Sequence, residues 1–278
     1  MDRAALERHI KATPVEGSPA DMRAAFLRLA HPSGVPDLPE VTAVGGCPGR
    51  WFGQGGRPIL WLHGGGYVFG GSASHAAPAR ALADQTGRPV FVPDYPLGPD
   101  HPWPAQREAG QDVVRALGVC DVVGDSAGGH LALVLAPRMA GHVGRLAVLS
   151  PNTDRTGLST TRRRNSGSDL MNDDAQDRVL GDMALSALPD DDPEASPLLA
   201  DMTRMPPLFI STTTTEVLLD DALLLATRAA RSGIAVTLDV QPDLFHMWHL
   251  WPDALPEARR TLAAVAGHLV APARNCPT

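Results

Sequence analysis

From residue 58 onward the chain repeats one pattern, a short continuously apolar run followed by a helical stretch and then another apolar run. The runs are PILWLH from residue 58, PVFVPDY from 89, CDVVGDS from 120, RLAVLSP from 145, PLFIST from 207 and AVTLDV from 235. They are too apolar to alternate as strands with one wet face do, so they read as strands buried on both faces of a parallel sheet. Helices are expected between them at 74–86, 104–117, 127–140, 218–232 and 256–269. Strand and helix in alternation imply a doubly wound, mostly parallel α/β sheet. A chain of 278 residues suits one such domain, spanning 1–278, with one active site.

Two amphipathic helices are expected first, over Asp2 to Ala12 and Pro19 to Ala30, the second with Ser18 as N-cap and Pro19 at its first position. Residues 31–57, rich in Gly and Pro, read as irregular chain or edge strands. The β/α rhythm breaks between Pro151 and Pro206, where the triplet Arg162 to Arg164 precedes an acidic stretch from Asp169 to Glu194. We expect this insertion to form a small helical cap over the sheet's carboxyl edge, with cap elements at about 1–40 and 152–205.

Composition removes several functions. Hydrophobic residues are 44% of the chain and charged residues 20%, as in an ordinary globular protein. The net charge of −7 provides no basic surface for phosphates, so nucleic acid is not expected as a partner. The start, MDRAALERHIKA, carries charges where a signal peptide needs an apolar core, and no later stretch approaches the ~20 apolar residues of a membrane span. The expectation is a cytoplasmic protein with no membrane partner. Cys47, Cys120 and Cys276 are odd in number and widely spaced, which indicates neither a disulfide framework nor a zinc site. Cys120, inside an apolar run, reads as a small buried hydrophobe.

Chemistry enters at Gly124, Asp125, Ser126, Ala127, Gly128, a GxSxG segment lying directly between an apolar strand and a helical run. A nucleophile elbow needs small residues two before and two after the serine, because its strained turn brings strand and helix backbones close together. A helix starting just after Ser126 also brings its N-terminal dipole to the developing negative charge. Upstream, His63, Gly64, Gly65, Gly66, Tyr67 follows the strand PILWL. Three glycines there free backbone N–H groups to face an oxyanion together with the N–H of Ala127. Without a GxxxxGK[ST] lysine or GxGxxG spacing, a phosphate cradle is the poorer reading. Gly65 is the leading donor, Gly64 and Gly66 compete for second place, and His63 is read as bracing the loop.

Acid and histidine follow the serine in that order in this arrangement. Glu216 sits just past the strand PLFIST, whereas Asp220 and Asp221 fall within the next helix, so Glu216 is taken as the acid. His246 follows AVTLDV by a short loop and precedes the last helix, so it is taken as the base. His249, in MWHLW, is read as a packing residue, and His268 lies on the last helix.

With HGGGY, GDSAGGH and EVLLDDA in view, the chain resembles the hormone-sensitive-lipase-like (bacterial family IV) esterases of the α/β-hydrolase fold. The resemblance extends through DYPLGPDHPWPA (Asp94 to Ala105), LSPNTD and DPEASPLLADMTRMPPLFI, and covers roughly residues 20–270. It implies that the N-terminal helices and the insertion after LSP form the cap. Most members carry Asp as the acid, and a subset with the EVLLDD pattern carries Glu, the branch that Glu216 matches. Pro96 stands in place of the family's usual Arg and Asn152 in place of its usual Trp, so loop packing near the site should differ. The chain is also short between Leu117 and Val122, which suggests a trimmed helix–strand connection.

Residues and resemblance agree on acyl transfer from a small-molecule ester through Ser126, His246 and Glu216, with no metal and no organic cofactor called for. The cap is small, and residues 169–194 carry nine acidic residues and one Arg, so short acyl groups of about two to six carbons are expected rather than fatty chains. An arylformamidase or small amidase would use the same triad. A non-hydrolytic receptor or pathway cyclase on this scaffold would be marked by a lost triad member, and here all three are present. Whether the chain forms a homodimer is left open.

Overall fold

A computed structural model of the chain describes residues 1–271. In chain order its strands are β1 (Val41–Val44), β2 (Cys47–Phe52), β3 (Ile59–Leu62), β4 (Val90–Pro93), β5 (Cys120–Asp125), β6 (Val143–Leu149), β7 (Leu208–Thr213) and β8 (Val236–Gln241). They form one sheet in the order β1-β2-β4-β3-β5-β6-β7-β8. The β1/β2 and β2/β4 pairs are antiparallel and the remaining pairs are parallel. The helices are α1 (Arg3–Ala12), α2 (Pro19–Ala30), α3 (Ala76–Thr86), α4 (Ala105–Leu117), α5 (Ala127–Arg138), α6 (Thr161–Asn165), α7 (Asp174–Leu185), α8 (Leu219–Arg231) and α9 (Pro256–Val270). This is the α/β-hydrolase fold with a mostly parallel sheet.

The apolar runs become central strands because both of their faces are covered. Leu60 and Leu62 of β3 pack with Val122, Leu146 and Ile210 under α4, α5 and α8, while Ile59 and Trp61 pack with Val123, Ala147 and Phe209 under α3 and α9. Each fully buried Leu, Ile or Phe contributes roughly 1.5–3 kcal/mol, so these two layers dominate the stability of the molecule. AVTLDV departs from expectation, for β8 is the last strand and is not buried on both faces. With no strand beyond it, Leu238 and Val240 stay 40% and 39% exposed. Residues 31–57 supply the other edge, the antiparallel pair β1 and β2. Only Gly118 and Val119 separate α4 from β5, the short connection that the sequence suggests.

The chain start follows its capping signals. Ser18 accepts from the Asp21 N–H while Asp21 accepts from the Ser18 N–H, a reciprocal box that opens α2. Residues of α1 and α2 (Leu6, Ile10, Phe26, Leu29) and Leu180 of α7 share an apolar cluster with Val68, Phe69, Phe245 and Met247. The last four belong to the loops after β3 and β8, so these helices cover the carboxyl edge of the sheet, where ligands bind in open α/β sheets. Cys47 and Cys120 are free and buried, and Cys276 lies outside the described residues. No helix among the described residues is long and apolar enough to cross a membrane.

Candidate active site

Ser126 stands between the end of β5 and the start of α5 at φ 51° and ψ −119°, a conformation that costs a non-glycine residue on the order of 1–3 kcal/mol. The surrounding backbone holds it there: its N–H donates to Leu149 O at 3.0 Å and its carbonyl accepts from the His130 N–H at 3.0 Å. The flanking glycines are dictated by contact. A Cβ at Gly124 would lie 2.3 Å from Gly128 O, and one at Gly128 would lie 2.0 Å from Leu62 O. The turn is therefore available to this residue pattern and closed to larger ones.

His246, in the loop after β8, is buried and reaches Ser126 across the carboxyl edge. Its Nε2 lies 2.9 Å from Ser126 Oγ and its Nδ1 lies 2.8 Å from Glu216 Oε2. An ionised carboxylate only accepts, so Nδ1 carries the proton and Nε2 is left to accept from the serine hydroxyl. Glu216 is itself fixed, since its Oε1 accepts from Ser150 Oγ (3.0 Å), Thr212 Oγ1 (2.6 Å) and the Thr213 N–H (2.9 Å). Burial pushes the His246 pKa down, but the hydrogen bond and charge of Glu216, with the charges of Asp169 and Asp177, outweigh burial and hold it above its ordinary value.

Of the three glycines weighed as oxyanion donors, Gly64 is committed elsewhere, because its N–H donates inward to Asp125 Oδ2 at 3.1 Å. This corrects its place beside Gly65 and Gly66. The latter two line the same cavity as Ser126 and His246, and neither N–H donates to a protein carbonyl among the described residues. Ala127 is the first residue of α5, so its N–H has no intrahelical partner. His63 braces the loop: its Nδ1 bonds Gly64 O at 2.9 Å and its ring stacks on Tyr95 at 4.0 Å. Burial pushes its pKa down to about 4, which keeps it neutral.

Of the other candidates, the two aspartates are occupied elsewhere. Asp220 accepts from the Thr160 and Thr161 N–H groups at the start of α6. Asp221 pairs with Arg162 at 2.7 Å and accepts the Thr153 N–H. His249 is fully buried, with Nε2 3.6 Å from Asp125, too long for a hydrogen bond. His268 lies far along α9.

Several residues to which the sequence assigned no catalytic role also shape the site. Asp125, inside the elbow, accepts from Trp61 Nε1 (2.7 Å), the Gly64 N–H and His75 Nε2 (3.1 Å), tying β3 and the glycine loop to the residue beside Ser126. Burial raises its pKa, yet His75 and His249 outweigh this and hold the carboxyl well below the usual range. Asn152 donates from Nδ2 to both Asp177 oxygens (3.0 and 2.8 Å) and accepts from Arg162 Nη2 (2.8 Å). Arg162 also bonds Asp177 at 2.6 Å, so one buried guanidinium clamps α7 to the segment after β6 and to α8. The local signals for these roles were the adjacency of Asp125 to Ser126 and the departure of Asn152 from the family pattern.

Asp169, Glu216 and His246 are the one group among the described residues close enough to hold a metal ion, with ligand atoms within 4.8 Å of one another. All four carboxylate oxygens already accept hydrogen bonds, and Nδ1 faces Glu216. The set is built as a hydrogen-bonded charge cluster. It borders a cavity of ≈ 260 Å³ walled by Phe26, Leu29, Met171, Leu180 and Met247.

Comparison with known proteins points the same way. A family profile described as the alpha/beta hydrolase fold matches residues 59–250. An acetyl-hydrolase of Streptomyces hygroscopicus is 35% identical over 261 residues, covering 88% of this chain and 85% of that protein. An esterase of Acinetobacter venetianus is 30% identical over 220 residues, covering 75% of this chain and 73% of its own length. The crystal structure of an esterase from the bacterial hormone-sensitive lipase family superposes with a TM-score of 0.89 at 28% identity, covering 97% of this chain and 98% of that one.

Proposed function

We propose, from the premise that this chain belongs to the α/β-hydrolase family as a serine carboxylesterase related to the bacterial hormone-sensitive lipases, that it hydrolyses small, short-chain acyl esters through Ser126, His246 and Glu216. The observation that carries this reading is the continuous contact from Glu216 Oε2 through His246 to Ser126 Oγ, at 2.8 and 2.9 Å, opening on one cavity. In the first half-reaction Ser126 Oγ bonds to the ester carbonyl carbon and its proton passes to His246 Nε2. The carbonyl oxygen, now negative, is held by the N–H groups of Gly65, Gly66 and Ala127. Collapse breaks the bond to the alkoxy oxygen, which leaves as alcohol with the proton from Nε2. In the second half-reaction water attacks the acyl-serine, gives its proton to Nε2, and releases the acid while Ser126 recovers its own proton. Glu216 holds the tautomer and stabilises the imidazolium throughout.

The size of the cavity supports short acyl groups. At ≈ 260 Å³ it falls below the ~300 Å³ at which drug-sized pockets begin, and residues of α1, α2 and α7 line it. The name of the acetyl-hydrolase relative agrees with a small acyl group. We read the chain as one α/β-hydrolase domain in which these helices and α6 are the cap. The test is kcat/KM across p-nitrophenyl acetate, butyrate, octanoate and palmitate. Acetate and butyrate should be hydrolysed far faster than palmitate, and a maximum at palmitate, or a rate jump at the substrate's solubility limit, would make the protein a lipase.

A further inference from the structure

The loop between α6 and α7 does more than cover the cavity, for it is laced to the two loops that carry the acid and the base. Asn165 Nδ2 donates to Glu216 O at 2.8 Å and to Thr214 O at 3.3 Å, and Ser168 Oγ donates to Thr215 O at 3.1 Å. Asp169 completes the lacing with one carboxylate. Its Oδ2 accepts the N–H of Val217, the residue after Glu216, at 3.1 Å, and its Oδ1 accepts the N–H of His246 itself at 3.1 Å. A second bond to Oδ1, from the Met171 N–H at 3.0 Å, fixes the Asp169 side chain within its own loop.

We propose that Asp169 is a positioning residue for the catalytic base, tying the backbone of His246 to the backbone that follows Glu216 and facing the imidazole as a second carboxylate. The proposal rests on the reading of His246 and Glu216 as base and acid. Both N–H groups that it holds lie in partly buried loops, where a donor without an acceptor is costly, so the carboxylate fixes the spacing of acid and base. Its charge acts as well. The carboxylate lies within 4.8 Å of ligand atoms of both His246 and Glu216, and the charged groups facing the imidazole are Glu216 from the loop after β7, Asp169 from the cap loop and Asp177 from α7. All three favour the imidazolium that forms when Ser126 gives up its proton. Asp169 therefore makes the cap a contributor to the chemistry of the sheet edge.

The experiment compares Asp169→Asn and Asp169→Ala with Asp191→Asn, the same loss of charge at an exposed site of the cap, reading kcat, KM and the acid limb of kcat/KM on p-nitrophenyl butyrate. For Asp169→Asn we expect kcat to fall roughly ten- to a hundredfold with KM within about twofold, and the limb to move to lower pH by about half a unit to one unit, because a charge that stabilised the imidazolium is gone. Asp191→Asn should leave all three unchanged. The limb midpoint does not depend on how much enzyme is active, so it decides the matter even if the Asp169 variants fold poorly. An unmoved limb in Asp169→Asn, whatever its kcat, overturns the inference. If His246→Ala keeps wild-type activity, the reading of base and acid fails first, whatever Asp169 does.

Discussion

The elbow around Ser126 and the segment from Asn152 to Leu185, part of what we read as the cap, meet in one cavity, yet they are built by different means. At the elbow, backbone sterics choose the residues: Gly124 and Gly128 are there because a Cβ would strike Gly128 O or Leu62 O. In the cap segment, buried charge pairs join apolar packing in the holding. Arg162, 7% exposed, is shared among Asp177, Asp221 and Asn152, and Asp169 reaches the acid and base loops through their N–H groups. The difference teaches that the turn holding Ser126 is set by close backbone contacts, whereas the segment facing it is tied down by side-chain bonds between residues distant in sequence.

The largest effect should come from the elbow side. Ser126→Ala removes the attacking oxygen and nothing that the fold needs, so kcat should fall by ~10⁴ or more while the unfolding midpoint stays near that of the wild type. Relief of the serine's strained φ is not expected, because alanine meets the same backbone. Purified, folded Ser126→Ala retaining a tenth of wild-type turnover would exclude this serine as nucleophile.

Arg162→Ala should break the other side of the comparison. It leaves the buried carboxylates of Asp177 and Asp221 without their cation, a class of change that costs about 3–5 kcal/mol. The cap should loosen first, so KM should rise by more than kcat falls, and thermal unfolding should begin roughly 5–15 °C earlier. Arg162→Lys should rescue little, since an ammonium does not reproduce the forked bonds to Asp177, Asp221 and Asn152. Unchanged KM and unchanged melting in Arg162→Ala would mean that packing through Leu180 and the α1–α2 cluster, not charge, holds the cap.

The same division explains what could be read from the sequence. The six apolar runs, the elbow and the placement of Glu216 and His246 just past their strands were legible, because each depends on neighbours a few residues away. AVTLDV was misjudged as doubly buried, for nothing within the run says that no strand follows it in the sheet. The inward turn of Gly64 was hidden too, since its acceptor, Asp125, is 61 residues away. In the acidic stretch Asp169 and Asp177 look like the seven other acidic residues, and only the folded chain shows that these two face His246 while Asp182 and Asp190 bind Arg155. Asn152 was marked as a departure from the family pattern, but its partner Asp177 lies 25 residues on.

The smallest effect joins the two regions and is read in the pH profile. Burial alone would lower the His246 pKa, but the net shift is upward from the ordinary 6.5, through Glu216 first and then through Asp169 and Asp177 of the cap. Only neutral imidazole accepts the serine proton, so kcat/KM should climb toward mildly alkaline pH with its acid-side midpoint above 6.5. The linkage sign separates this from unfolding. A group whose folded pKa is raised adds stability that is fully present below its unfolded pKa and is lost as pH rises through the folded value, so protonating His246 does not destabilise the fold. Activity lost at pH 6 should therefore return in full on neutralisation, with no drop in melting temperature from this group. The measurement is kcat/KM on p-nitrophenyl butyrate between about pH 5 and 9 at constant ionic strength, paired with melting at each pH. A midpoint below 6, or acid inactivation that tracks melting, would show that the carboxylates of the cap do not reach the base.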